Sequence, residues 1–158
     1  MKVLYKNLAL RRSIDFSAIQ FALVVMLMFG VTNISVAVTR TCRQEEAMKA
    51  MSEASNLKTW AEVFDSYKKY KQCDDGAIAE GYSSSVAYLL ASRWADINTL
   101  IKLSNANPDF RRFVIKHVDE TMNIDQAKSI KKNIVTCRPA KAKKLCVEIQ
   151  KRFVELGF

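Results

Sequence analysis

The stretch KTWAEVFDSYKKYK, Lys58 to Lys71, decides the fold. Trp60, Val63, Phe64 and Tyr67 recur at steps of three, one and three, a spacing that lines them along one face of an α-helix. Lys68, Lys69 and Lys71 fall on the outer face. Burial of that aromatic stripe, at ~25 cal/mol per Å², is worth several kcal/mol.

The same period runs in both directions from this stretch. Upstream, a helix is expected over Gln44 to Ser55, with Ala47, Met48 and Met51 facing inward. Downstream of Cys73, Asp74 is expected to cap a third helix, with Asp75 at the positive end of its dipole. Its buried face would be Ile78, Tyr82, Ser85, Val86, Leu89 and Leu90. Gly76 and Gly81 are weak helix formers and point to close packing or a bend. After a turn near Ser92 to Asp96, Ile97, Leu100, Ile101 and Leu103 continue as a fourth helix. Asn107 with Pro108 reads as a cap and first helical position, ahead of an inward face of Phe110, Phe113, Val114, His117 and Val118. Asn123 and Gln126 form a capping box before Ala127, Ile130 and Ile134. A last helix starts near Ala142 and uses Leu145, Ile149 and Phe153. Period-two alternation is never sustained, so the expected class is all-α, a compact bundle of six or seven short helices.

The first thirty-seven residues read as an address rather than as fold. Lys2, Lys6, Arg11 and Arg12 make a basic head, Ala18 to Gly30 is apolar apart from Gln20, and Ser35-Val36-Ala37 gives the small-x-small cleavage pattern. Residues 1–37 are therefore expected to be a signal peptide and 38–158 one helical domain in the periplasm, an uncleaved anchor being the alternative. The apolar run falls short of the ~20 residues that span a bilayer, so no stable membrane insertion is expected after cleavage. The remaining 121 residues hold 21 basic and 15 acidic side chains, a balance that suits an acidic partner or an anionic surface. All four cysteines, Cys42, Cys73, Cys137 and Cys146, lie beyond the cleavage site, and an even count in an exported chain reads as disulfides. Of the three connectivities, Cys42–Cys73 with Cys137–Cys146 is favoured, the second closing a short basic loop around Pro139.

Chemistry is sparse. The single histidine, His117, shares a helix face with Glu120 and has no serine or cysteine nucleophile near it by spacing; the expectation is a surface histidine. Asp74, Asp75 and Glu80 offer paired carboxylates for sugar hydrolysis, with nothing in the sequence to fix their separation. Cys137 and Cys146 are spaced too widely for a zinc site, and no oxygen-ligand spacing suits calcium, so neither metal nor cofactor is expected. The basic group Arg138, Lys141, Lys143 and Lys144 lacks aromatic interleaving, and no nucleic-acid partner is expected. The small-residue run Gly81-Tyr82-Ser83-Ser84-Ser85 allows close helix packing, or a polar contact surface beside Tyr82 and Tyr88.

An N-terminal signal peptide, an aromatic helix leading from Trp60 into Cys73, the helix Glu80-Gly81-Tyr82-Ser83-Ser84-Ser85-Val86, and a cysteine pair at Cys137 and Cys146 together resemble one known family. The chain is similar to the small exported all-helical immunity proteins that protect bacteria from type VI secretion amidase effectors. As an arrangement, the resemblance covers most of residues 38–158; no single motif is diagnostic, and no inhibitory residue carries over. It implies a homodimer without enzymatic activity that inserts a loop or helix edge into the groove of a secreted antibacterial effector. The expected function is accordingly a periplasmic immunity or inhibitor protein that blocks a toxin or cell-wall hydrolase. Tyr82, Ser84, Tyr88, Lys141, Lys143 and Lys144 are its contact candidates. Two alternatives stand beside it: a cell-wall hydrolase using Glu80 with Asp74 or Asp75, and a structural component of the envelope or a secretion machine.

Overall fold

The helix α3, Gly76–Ser92, buries Ile78, Tyr82, Ser83, Ser85, Val86, Ala87, Leu89 and Leu90, and three other helices pack against it. A computed structural model describes residues 41–137 and 143–158, which fall within one compact unit. The expected signal peptide and residues 138–142 lie outside the described residues. Among those described, seven α-helices and two 3-10 turns make up all the regular structure.

In chain order, α1 is Gln44–Ala54 and α2 is Trp60–Tyr70, followed by a 3-10 turn, Lys71–Cys73, and then α3. A second 3-10 turn, Trp94–Asp96, leads into α4, Ile97–Ala106, then α5, Pro108–Lys116, α6, Ile124–Val135, and α7, Lys143–Glu155. Helix α3 packs against α1, α2 and α6, while α4 pairs with α5, and α7 closes on α5 and α6.

Local chemistry sets the helix starts. Thr59 accepts from the Glu62 amide while the Glu62 carboxylate accepts from the Thr59 amide. Asn107 accepts from the Phe110 amide ahead of Pro108, as expected. Asn123 and Gln126 form the expected capping box. The first-turn expectation for α3 needs correcting. Asp75, not Asp74, is its N-cap, and Gly76 begins it at φ +49°, a left-handed value that favours glycine.

The core runs through Trp60, Val63, Tyr67, Tyr82, Leu89, Leu90, Leu100, Phe110, Ile130 and Ile149. Phe64, Tyr67, Phe110 and Phe113 meet at centroid distances of 4.9 to 6.3 Å, so the aromatic stripe of α2 is buried against α5. The inward face of α1 differs from expectation. Met48 and Met51 are 60% and 56% exposed, whereas Ala50 and Ala54 are fully buried. Small residues win that face because α3 comes very close. A Cβ on Gly81 would lie 2.9 Å from the Ala54 Cβ, so only glycine fits there. Ser85 then bridges the gap: its Oγ donates to Ala54 O at 2.6 Å and accepts from the Leu57 amide at 3.2 Å. At the far end, the Asn133 side-chain amide of α6 donates to Leu90 O and Ala91 O, occupying carbonyls that the end of α3 leaves open.

Both favoured disulfides are present, Cys42–Cys73 and Cys137–Cys146. The fold is thus the all-α bundle stapled by two bridges that the sequence implies. Their sequence separations of 31 and 9 residues set different effects on the unfolded chain. Removing Cys42–Cys73 by paired serine substitution is expected to lower unfolding free energy by about 3–4 kcal/mol, against about 2–3 kcal/mol for Cys137–Cys146. Urea unfolding of the two double variants checks the order; a larger loss from the shorter loop contradicts it.

Candidate functional site

Three segments, the last of them distant in sequence from the other two, converge beside the N-terminal half of α3. The first is Asp74, held between the 3-10 turn that ends in disulfide-bonded Cys73 and the start of α3. The second is Ser83, one residue past Tyr82 on the buried side of α3. The third is the turn that follows α5, residues 117–123, carrying His117, Asp119 and Thr121.

His117 caps α5 and is 1% exposed, with its ring 4.4 Å from Phe113 and 5.6 Å from Tyr82 between centroids. Its Nδ1 lies 3.0 Å from the Ser83 Oγ. Its Nε2 lies 3.1 Å from the Asp74 Oδ1, close enough for an ion-pair contact but outside hydrogen-bond geometry, and neither atom has a hydrogen-bond partner among the described residues. The other Asp74 oxygen, Oδ2, accepts from Lys116 Nζ at 2.8 Å. Ser83, also 1% exposed, donates from Oγ to Asp119 Oδ2 at 2.5 Å. Asp119 Oδ1 in turn accepts from the Thr121 amide at 3.0 Å and the Thr121 hydroxyl at 2.6 Å.

Two carboxylates therefore flank one imidazole and one hydroxyl in a largely apolar setting. Burial pushes the Asp74 carboxyl up, but the contacts and charges of His117 and Lys116 outweigh it and hold the group below the ordinary carboxylate range. Burial likewise raises Asp119, and the bonds from Ser83 and Thr121 with the charge of His117 bring it net below that range. At Tyr82 burial prevails: its phenol is pushed up, with the charge of Asp74 adding to the rise, although the 2.8 Å hydrogen bond its oxygen shares with Ser66 opposes it.

The arrangement has the parts of an acyl-transfer site: a hydroxyl, an imidazole within reach of its proton, and a carboxylate against the opposite ring nitrogen. This corrects three expectations. His117 is a core residue, not a surface one, because its ring completes the aromatic face of α5. A serine does stand beside it, brought there by the packing of α5 on the middle of the chain rather than by local spacing. The expectation of a non-enzymatic immunity or inhibitor protein is overturned by the same network, which resembles a catalytic triad and argues for chemistry over a passive blocking surface. The Asp74 carboxylate is engaged by His117 and Lys116, not by Glu80, which is exposed, and Asp75 is a helix cap.

The contact candidates scatter. Tyr82 is fully buried, which removes it from any surface. Ser84 and Lys144 are exposed, and Tyr88 is half-buried with Lys58 Nζ 4.8 Å over its ring. Lys141 and the side chain of Lys143 lie outside the described residues. Among the described residues no group of His, Cys, Asp and Glu is arranged to hold a metal, and no helix is long and apolar enough to cross a membrane.

No family model, curated protein or solved structure matches the chain.

Both carboxylates have folded pKa values below their unfolded values, so the stability they contribute is complete above roughly pH 4. It is lost as pH falls through the folded values. Asp74→Asn is expected to lower unfolding free energy at pH 7 by about 1.5–3 kcal/mol and to flatten the decline below roughly pH 4. Urea titrations from neutral to acid pH check this; an acid limb as steep as the parent's contradicts it.

Proposed function

We propose that the protein is a hydrolase of ester or amide bonds, with Ser83 as nucleophile, His117 as general base and Asp74 as the residue that positions the imidazole. The observation that carries this reading is the continuous line of contacts from Asp74 Oδ1 to His117 Nε2 at 3.1 Å and from His117 Nδ1 to Ser83 Oγ at 3.0 Å. With the ring proton on Nε2, facing the carboxylate, Nδ1 keeps its lone pair for the serine proton. Ser83 Oγ attacks the acyl carbonyl and passes its proton to Nδ1. The tetrahedral adduct collapses, His117 returns that proton to the leaving alcohol or amine, and the acyl group stays on Ser83. Water then attacks the acyl-serine, loses a proton to His117, and releases the carboxylic acid as Ser83 recovers its own. Asp74 remains ionised throughout and stabilises the imidazolium.

Export, expected from residues 1–37, directs the reading toward a polymer of the cell envelope as substrate. That agrees with the hydrolase alternative in substrate and compartment, and replaces its paired carboxylates by a serine relay. The burial of Ser83 and His117 favours one second reading, in which the network only ties α3 to the turn after α5.

A fluorophosphonate reagent is expected to form an adduct at Ser83, located by mass spectrometry. Ser83→Ala and His117→Ala should each lower hydrolysis of activated acyl esters or envelope fragments by about 10³-fold or more. Ser52→Ala, an exposed serine of α1, serves as the control. Equal turnover by Ser83→Ala and the parent, both folded, eliminates the hydrolase reading and leaves the structural tie.

A further inference from the structure

Building on the hydrolase reading, we infer that Asp119 is a latch: it holds the Ser83 hydroxyl in a resting state and closes the 117–123 turn over it. Ser83 has one proton and two acceptors in reach. Asp119 Oδ2 stands at 2.5 Å, His117 Nδ1 at 3.0 Å, and the shorter contact is to an ionised group. While the proton points to Asp119, it is not on the path to the imidazole, and the nucleophile is not activated.

The turn is built to stay where it is. Val118 and Met122, on either side of Asp119, are both buried. Arg152 Nε of α7 donates to Val118 O at 3.0 Å. Thr121 fixes the second Asp119 oxygen from its amide and its hydroxyl. Asp119 itself is only partly buried, so it forms the outer side of the network while Ser83 lies beneath it. Retraction of this carboxylate does two things together. It clears the approach to Oγ and leaves Nδ1 as the acceptor for the serine proton. The 1% exposure of Ser83 is then a property of the latched state, not an obstacle to reaction.

The test compares rates of fluorophosphonate labelling at Ser83 in the parent, Asp119→Ala and Thr121→Val, with thermal melts to establish folding. Asp119→Ala removes both the competing acceptor and the cover, and labelling is expected to rise at least about tenfold. Thr121→Val leaves Ser83 untouched and loosens only the carboxylate's anchor, so a smaller rise is expected. A folded Asp119→Ala that labels no faster than a labelling parent overturns the latch and leaves the hydrolase intact, Asp119 then being a helper of the relay. Should Asp119→Ala not fold, an unchanged or slower rate in Thr121→Val overturns it instead. Absence of Ser83 labelling from all three proteins removes the hydrolase reading itself, and the latch with it.

Discussion

Everything in this bundle leans on α3 being able to lie in contact with neighbours on several sides at once. A helix can do that only if its surface is small where backbones meet and apolar where side chains interdigitate. Gly81 and Ser85 serve the first need toward α1, while Tyr82, Val86, Leu89 and Leu90 serve the second. Several of the polar atoms that such burial strands are given a partner. Ser85 bonds the end of α1, Tyr82 bonds Ser66, and Asn133 takes the carbonyls at the C-terminal end. Ser83 is the exception in kind, since its partners are ionisable.

That exception has a physical cost that a simple brace would not require. Burying two carboxylates beside an imidazole is expensive unless each oxygen is engaged. Lys116 and Thr121 supply the outer contacts, and the chain spends three separate segments on assembling the group. An apolar pair across the same contact would hold α3 to α5 at less risk. The expense is intelligible if the hydroxyl is there to react.

Helix boundaries were legible because they depend on neighbours in sequence. The stripe from Trp60 to Tyr67, the Asn107-Pro108 start and the Asn123–Gln126 box all formed as their spacing implies. The inward face of α1 was not legible, because Met48 and Met51 look better buried than Ala50 and Ala54 until Gly81 is known to press against Ala54. The site was half legible. Periodicity placed His117 among the inward residues of α5, which already disagreed with reading it as a surface group. Ser83 carried no such signal: it stands 34 positions away, and nothing local separates it from Ser84 or Ser85. Their fates differ only by the angle at which each leaves the helix. Ser84 faces solvent, Ser85 meets α1, and Ser83 meets His117.

The missing atom at Gly81 also constrains how this sequence can drift. Since an added methyl there would lie 2.9 Å from the Ala54 Cβ and 3.1 Å from the Ser55 nitrogen, trimming one neighbour cannot make room. The backbone of α1 would have to retreat, dragging the Ser85 bond to Ala54 O with it. Any side chain added at position 81 therefore displaces α1, and the bond that Ser85 makes to the end of that helix moves or breaks with it.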